Sequence, residues 1–437
     1  MLDFLFYLLI IAVVIPLVLA ANKPARIFEY PYFMAAVFAV FILPQAYSLI
    51  RFPGGVKIGE IGDILLICTL CIVCCFLGYK LTPSFTMVRF ISKPADPTRM
   101  FHVGLALTLV GIASIVLIPM QQIQFGSRGG MTGVGTIYLF FAGLSFPGFA
   151  VFLQLIRQKF TTLRLAGLLL SSLSPILSVY TGRREAAVIF FLSIAMTAYF
   201  SKRKAPSRII IFSSLLFATL AIPATGAYRS LVQTGEVRRI NRLDIVQNFK
   251  NFINQESILE LRNAAAILES TRMEGKYGLG AGYWNQIVYR FIPAQVIGKD
   301  AKDAMLIGAT VDRMYVGKLV GRYEIPAGST RTGMADSYEQ FGWLGCLFFA
   351  GVGMLFRSIW TAALYPHALF AQLFYIMICT SAMRSVTHQT VDFLPGVFYQ
   401  LIFLGAAYLY ARAPEPRAQP PRGSRYMQRP VRGSQGV

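Results

Sequence analysis

The chain has 437 residues, of which 55% are hydrophobic and 14% are charged, and its formal net charge is +21 at pH 7. Soluble domains carry about 25% charged residues, so this composition excludes an ordinary water-soluble protein and predicts a chain whose main solvent is the lipid bilayer. The basic residues lie mostly in short connections between apolar runs and in the C-terminal tail. This distribution indicates membrane topology signals and argues against nucleic-acid binding.

Apolar runs recur along the whole chain and predict an all-α polytopic membrane protein with about eleven transmembrane helices. The first run is predicted to remain a membrane helix, because the Met1-Leu2-Asp3 segment before it carries an acid and lacks the basic residues of a cleaved signal peptide. The predicted spans cover residues 3–20, 32–50, 62–79, 101–120, 135–156, 165–181, 185–200, 209–227, 336–361, 367–383 and 393–411.

Alternate connections between the spans are strongly basic, and cytoplasmic connections are the ones enriched in Lys and Arg. The basic set includes Lys23, Lys80, Arg157 and Lys202, so these connections are predicted to be cytoplasmic. Four parts follow: an N-terminal transmembrane bundle (1–227), an extracytoplasmic, mainly helical cap loop (228–335), C-terminal transmembrane helices (336–411) and a disordered basic cytoplasmic tail (412–437).

The cap loop is long but not of low complexity, which predicts a folded unit. Residues 257–269 have a helix-like sequence, and the aromatic-rich segment 277–298 is typical of a piece that lies in the membrane interface. The glycines between Gly278 and Gly282 predict a turn and not a nucleotide-binding loop.

Cofactor motifs are missing from the sequence. The six cysteines lie inside apolar runs, where a thiol usually acts as a small hydrophobe, and none of the three histidines lies in a cluster of acids. Motifs of ATP-binding loops and of zinc proteases are also missing. An enzyme with this sequence is therefore predicted to work without ATP or bound zinc, and no cofactor is expected.

The first candidate site is the stretch SVYTGRREAAVIF, which places Arg183 and Arg184 between two apolar runs. One hypothesis is a tight hairpin whose arginines reach the lipid headgroups, with Glu185 as a partner. The other is a diphosphate site, because paired guanidinium groups bind phosphate oxygens and the amides at a helix N-terminus also favour anions.

The second candidate site is the stretch 328–345, which contains Arg331, Asp336 and Glu339. Asp336 and Glu339 are three positions apart, so a helix would place both carboxylates on one face. They are predicted either to cap the helix or, for one of them, to act as a general base on a sugar hydroxyl.

A third candidate is MRSVTHQTVDF, where His388 is flanked by Arg384, Gln389 and Asp392. A histidine on the outer side could accept a proton, whereas a plain polar loop is the simpler interpretation. Further cationic candidates, each of which could equally be a solvated charge, are Arg229, Arg290, Arg313 and Arg322 in the cap.

At these residues the chain resembles the oligosaccharide repeat-unit polymerases, the Wzy-type polymerases of O-antigen and exopolysaccharide. The likeness lies in the many spans, in one large loop in the second half, and in the short motifs TGRREAAV, DSYEQFGWLG and RFIPAQVIGKD. It implies transfer of a growing glycan from a polyprenyl diphosphate to an incoming lipid-linked repeat unit, at the outer face of the bacterial inner membrane.

By matching position, the resemblance implies that Arg183, Arg184 and Arg331 bind the donor diphosphate and that Glu339 or His388 is the catalytic base. Arg290, Arg313 and Asp336 are further candidates for substrate binding. The implied partners are the polyprenyl-diphosphate-linked oligosaccharide, membrane lipids, and the flippase and chain-length regulator of a polysaccharide export system.

Two alternatives stay open. An O-antigen ligase uses a similar lipid-linked donor and a different acceptor, and the sequence does not separate it from a polymerase. A flippase or transporter of lipid-linked oligosaccharides typically has repeated halves and polar residues near the membrane midplane. The sequence has no evident paired halves, and its charged residues cluster at one predicted face, which favours an enzyme.

Overall fold

The structure is a computed structural model that describes residues 1–118, 124–125, 131–132, 135–236, 240, 243–254, 259–308, 319–320, 323–326 and 329–412. Arg313, Arg322 and residues 413–437 of the predicted tail lie outside these ranges. Within them, eleven helical stretches are long and apolar enough to cross a membrane, which confirms the predicted all-α polytopic fold. They are Leu2–Asn22, Tyr30–Arg51, Ile58–Lys80, Pro97–Leu117, Gly135–Gln158, Thr162–Tyr180, Arg184–Lys202, Arg208–Gln233, Gly333–Ala363, Leu369–Thr387 and Thr390–Ala411.

Several spans are built from two helices joined by an irregular turn, and short helices fill the long connection before the ninth span. The α-helices are α1 Leu2–Asn22, α2 Tyr30–Val37, α3 Leu43–Arg51, α4 Ile58–Lys80, α5 Phe85–Ile91, α6 Pro97–Leu117, α7 Gly135–Ala142, α8 Ser145–Gln158, α9 Thr162–Tyr180, α10 Arg184–Lys202, α11 Arg208–Gln233, α12 Ile245–Asn254, α13 Glu260–Glu274, α14 Ala281–Phe291, α15 Ala294–Ile297, α16 Lys299–Ala304, α17 Gly333–Phe341, α18 Leu347–Ala363, α19 Leu369–Thr387 and α20 Phe393–Ala411. Two antiparallel strand pairs accompany them: β1 Gln124–Phe125 with β2 Met131–Thr132, and β3 Leu319–Val320 with β4 Tyr323–Glu324.

The second span changes its winding where a proline interrupts it. Pro44 has no N–H to donate to the carbonyl of Val40, so the α-helical ladder cannot continue through this point. The chain instead forms a π-helical turn over Phe38–Ile42 before α3 begins. This turn presents Phe41 to the cavity described below.

Helix α19 is the centre of the bundle, with most of its residues buried among α10, α18 and α20. Helices α4 and α18 also pack closely. A Cβ added at Gly78 would lie 2.0 Å from the carbonyl oxygen of Ala350, and one at Gly353 would lie 2.4 Å from that of Cys75. Small residues at such crossings let the two backbones approach in the absence of a hydrophobic driving force.

The basic connections gather at one end of the bundle. There Tyr375 Oη donates a hydrogen bond to the carbonyl of Phe28 at 2.7 Å, Tyr408 Oη donates to that of Phe90 at 2.7 Å, and Arg203 donates to that of Leu364. Segments far apart in the sequence therefore meet at this end, and the predicted orientation in the membrane stays a prediction.

The long connection packs against the opposite end, where α3 ends and α4 begins. Arg262 Nη2 donates to the carbonyl of Phe52 at 2.6 Å, and Arg272 Nη1 bonds both oxygens of Glu60 at 3.1 Å. The helix predicted near 257–269 is α13, whose buried Ala-rich middle contacts α4 and α17. The span before this connection ends at Gln233, whereas the sequence predicted residue 227. The span after it begins at Gly333, whereas the sequence predicted residue 336.

The turn predicted between Gly278 and Gly282 is present. Gly280 has φ +90°, and Gly278 N donates to the carbonyl of Glu339 at 2.9 Å, which fastens the turn to α17. Helix α14 follows, with Trp284 and Tyr289 exposed and Tyr283 buried. The hydroxyls of Tyr283 and Thr390 are hydrogen-bonded at 2.8 Å, so α14 is attached to the segment that precedes α20.

Candidate functional site

A cavity of about 740 Å³ opens at the end of the bundle where α13 and α14 pack. This volume lies within the range of about 300–1,000 Å³ that is usual for small-molecule sites. Its wall is built from distant parts of the chain: the π turn, α7, α8, the α9–α10 junction, α11, α13, α14, α19 and α20.

Positive charge dominates the polar part of the cavity. Five guanidinium groups face three carboxylates, which leaves a surplus of two positive charges on the lining. The arginines are Arg183, Arg184, Arg229, Arg290 and Arg384, and the acids are Glu185, Glu260 and Asp392. The structure therefore brings together the predicted residues Arg183, Arg184, Arg290 and His388 in one site.

The turn between α9 and α10 fixes the arginine pair. Gly182 has φ +75°, a left-handed conformation that favours glycine, and the chain then enters α10 directly at Arg184. Arg184 Nε donates to Thr225 Oγ1 on α11. Among the described residues the side chain of Arg183 has no hydrogen-bond or ion-pair partner, so its donors are available to a ligand.

Helix α11 supports this turn from the side. Arg229 Nη2 donates to the carbonyl of Gly182 at 3.2 Å, and Tyr228 Oη donates to that of Tyr180 at 2.8 Å. These bonds satisfy carbonyls that the end of α9 leaves free. The two arginines are therefore held on a braced junction and not on a loose loop.

Arg384 is oriented from two sides. Its Nη2 donates to Asp392 Oδ2 at 2.9 Å, and its Nη1 lies 3.7 Å from Glu185 Oε1. The second oxygen of Asp392 accepts from Gln286 Nε2 on α14 at 2.6 Å. Since both oxygens of Asp392 are occupied, its geometry suits a residue that positions Arg384 and not a free base.

His388 follows the last residue of α19 and is exposed to the cavity. Thr387 Oγ1 donates to the carbonyl of Met383 at 3.2 Å and is 2.8 Å from His388 Nδ1. A hydroxyl that donates to Met383 accepts from Nδ1–H, and in that tautomer the neutral ring keeps Nε2 free to accept a proton.

The surroundings of His388 favour its neutral form. The protein atoms around the ring lower the pKa of His388, and the nearby Arg384 and Arg184 cations lower it further, while Asp392 raises it. Since the ordinary pKa of histidine is about 6.5, the neutral form of the ring predominates at pH 7. A neutral imidazole beside an anion-binding surface can act as a general base.

Two further groups on the lining have shifted pKa values. Burial, and then the neighbouring Arg384, lower the pKa of Arg290, yet a guanidinium stays protonated and can bind an anion. Burial raises the pKa of the Glu260 carboxyl, and the Arg184 charge and a hydrogen bond to Gln45 partly offset this effect.

Apolar side chains form another part of the lining, so the cavity is amphipathic. The apolar side chains are Phe41, Leu139, Phe140, Phe146, Ile189 and Met377. Met377 lies seven positions before Arg384 on α19, which corresponds to about 10 Å along the helix axis. Charge is therefore concentrated near the mouth, and apolar wall extends into the bundle. Within the described ranges, no group of three or more His, Cys, Asp or Glu side chains is arranged to hold a metal ion.

Arg331, Asp336 and Glu339 form a separate buried network and do not line the cavity. Arg331 Nη1 lies 2.7 Å from Glu339 Oε2, and Asp336 Oδ2 accepts from Val391 N at 3.0 Å and from Thr390 Oγ1. This network ties α17 to the segment before α20. The roles in binding and catalysis that the resemblance implies for these three residues stay predictions, and Arg313 lies outside the described residues.

Removing the Glu339 carboxylate should therefore lower the thermal stability of the protein and have little effect on ligand binding. In Glu339→Ala, Arg331 loses a charged partner, and breaking a fully buried pair costs about 3–5 kcal/mol. The effect here should be smaller, because the Arg331 side chain is 25% exposed. We expect a lower melting temperature of the purified protein and an unchanged affinity of the arginine-lined cavity for pyrophosphate. Unchanged melting with a lower affinity would instead assign Glu339 to ligand binding.

Some lining residues were not identified as site residues from the sequence. Glu260 enters the cavity only because α13 packs against the bundle. Thr380, Tyr399 and Gln400 belong to apolar spans, where an isolated polar residue is a functional signal in its own right.

A scan of protein-family models finds no match to this chain, and searches of curated proteins and of solved structures find no significant match.

Proposed function

We propose that this protein polymerises polyprenyl-diphosphate-linked oligosaccharide repeat units into a surface or exported polysaccharide, as a metal-independent glycosyltransferase. The observation that carries the proposal is the amphipathic cavity, with five arginines near its mouth and apolar walls below. A lipid diphosphate has the complementary character, because it joins a polyanionic head to an apolar chain. Arginine binds such phosphate oxygens through paired hydrogen bonds of fixed geometry.

The proposed reaction uses these groups in defined roles. Arg183, Arg184 and Arg290 bind the diphosphate of the donor, and Arg384 adds a fourth cation. The acceptor sugar hydroxyl attacks the anomeric carbon, a new C–O bond forms, and the bond from that carbon to the diphosphate breaks. The leaving diphosphate takes the bonding electrons, and preorganised cations stabilise the charge that it develops.

His388 is the proposed base of this reaction. Its Nε2 accepts the proton of the attacking hydroxyl, in the tautomer whose Nδ1–H donates to Thr387 Oγ1, 2.8 Å away. Glu260 is a second titratable group on the lining and lies beside the arginines, where it would orient Arg184.

The proposed location is the outer face of a bacterial inner membrane. The connections rich in Lys and Arg lie at the end of the bundle opposite to the cavity, and such connections are normally cytoplasmic. The cavity and the packed α13 and α14 would then face the compartment in which lipid-linked repeat units are assembled into polymer.

The direct test supplies the purified full chain, in lipid nanodiscs, with one lipid-linked oligosaccharide extracted from the producing cells as both donor and acceptor. We expect a ladder of products spaced by one repeat unit, without added nucleotide or metal. Transfer to a lipid A acceptor without a ladder would identify a ligase. No transfer to either acceptor would contradict the proposed function.

A further inference from the structure

We propose that the floor of the cavity, below Arg384, is a subsite for an uncharged polar substituent of the donor sugar next to the diphosphate, and that Thr380 and Gln400 bind it. A sugar hydroxyl or an acetamido group has the required chemistry. This inference rests on the proposed function and extends it to substrate specificity.

Three polar atoms near the floor of the cavity have no hydrogen-bond partner among the described residues. Thr380 Oγ1, Gln400 Oε1 and Arg384 Nε are buried and form no hydrogen bond with any described residue. All three residues line the cavity. Native structures seldom leave buried polar groups unpaired, because each one has lost its water without gaining a replacement. A ligand that reaches the floor would supply the missing partners.

Thr380 is one of four buried helical serine and threonine residues whose hydroxyls form no hydrogen bond with any described residue, and of these four it is the one that lines the cavity. The other three are Ser48, Thr108 and Thr197. Thr69, Ser193 and Thr387 each donate to the carbonyl four positions earlier, at 3.0, 2.6 and 3.2 Å. This bond is the usual way for a helix to satisfy such a side chain. Thr380 is only 3% exposed and does not form it. The hydrogen-bonding capacity of its hydroxyl is therefore unused among the described residues, in a side chain that lines the cavity.

The backbone geometry explains how the floor is assembled. Thr380 and Arg384 are four positions apart on α19 and therefore share one face of the helix. Gly396 and Gln400 have the same spacing on α20. A Cβ added at Gly396 would lie 2.1 Å from Ser381 Oγ, so glycine at this position allows α20 to approach α19 closely. The close approach places the Gln400 amide on the wall that Thr380 also forms.

The unpartnered atoms define the chemistry of the ligand group. Arg384 Nε can only donate, Gln400 Oε1 can only accept, and a threonine hydroxyl can do both. The complementary group must therefore contain a donor and an acceptor. A third phosphate or a carboxylate would offer acceptors only and would leave Gln400 unpaired. A hydroxyl or an acetamido group satisfies both sides.

The position of the subsite suits the first sugar. The arginine pair and Arg384 hold the diphosphate, and Thr380 lies one helical turn below Arg384, about 6 Å along the axis. The lipid chain has its own wall in Phe140 and Phe146 on α7 and α8. The sugar bonded to the diphosphate is then the part of the donor that can face α19 and α20.

The test compares the binding of three probes to the purified full chain in nanodiscs: undecaprenyl diphosphate, its glucose derivative and its N-acetylglucosamine derivative. We expect at least one glycosylated lipid to bind about 10-fold more tightly than the bare lipid, as one or two neutral hydrogen bonds would allow. Thr380→Val and Gln400→Leu should each remove most of this preference and leave the affinity for the bare lipid unchanged. The probe that loses its preference distinguishes a hydroxyl from an acetamido group.

The matched control is Thr219→Val, the same chemical change on α11, where Thr219 Oγ1 donates to the carbonyl of Leu215 at 2.9 Å. It should leave all three affinities unchanged. Equal binding of all probes by the wild type, or an equal loss for all probes in Thr380→Val, would overturn the subsite while the proposed function stands. Failure of every lipid to bind would contradict the proposed function and the subsite together.

Discussion

Replacing Arg183 and Arg184 together by alanine is expected to reduce polymer formation at least about 100-fold, since removing even one preorganised donor from a transition-state site typically costs that much. The change should leave the fold intact. Arg183 has no side-chain partner among the described residues, and Arg184 is bonded only to Thr225 there. The measurement is the rate of repeat-unit addition by purified protein, together with its melting temperature.

Two further variants serve as controls in this experiment. Arg184→Lys keeps the charge and loses the guanidinium fork, so we expect an intermediate activity. Arg157→Ala removes an equally exposed arginine at the opposite end of the bundle and should have no effect on the rate. Wild-type polymer from the double alanine variant would rule out diphosphate binding by this pair.

The arginine pair could be located from the sequence because its signal is local. Two charged residues between two apolar runs are expected at the junction of these runs, and the structure places both arginines there. The spans were predictable for the same reason, because each apolar run is by itself long and hydrophobic enough to indicate a membrane-spanning helix. Pro44 illustrates the limit: a bent span was predictable, whereas a π turn that delivers Phe41 to the cavity was not.

The remaining part of the site depends on which helices are neighbours, and hydropathy carries no information about this. Leu261 N donates to Gln45 Oε1 across 216 positions, and this contact places α13, and with it Glu260, beside α3. In the same way, the pairing of Arg331 with Glu339 uses two residues that each looked available from the sequence. Arg331 precedes α17 and Glu339 lies within it, and their contact makes two candidate site residues into one partly buried ion pair.

Replacing His388 by alanine is expected to lower kcat about 10²–10⁴-fold, the usual contribution of a general base, with little change in the affinity for the donor lipid. The pH dependence gives the sharper measurement. Because the surrounding protein and the Arg384 and Arg184 charges lower the pKa of His388, the ring loses its proton below the ordinary value of about 6.5. In the wild type, kcat/KM should therefore rise with pH through that lowered pKa and be level at neutral pH.

The shape of this profile distinguishes a base from a structural histidine. The acidic limb of the profile, where kcat/KM rises with pH, should disappear in His388→Ala because the base that is deprotonated there has been removed. A variant that was only destabilised would react more slowly but would keep this limb. Thr387→Val supplies the matched comparison: it removes the hydroxyl that lies 2.8 Å from His388 Nδ1 but leaves the ring in place. Its rate should fall less than that of His388→Ala, and its acidic limb should persist. A persistent limb in His388→Ala would transfer the role of base to another lining group, with Glu260, whose pKa is raised by burial, the next candidate.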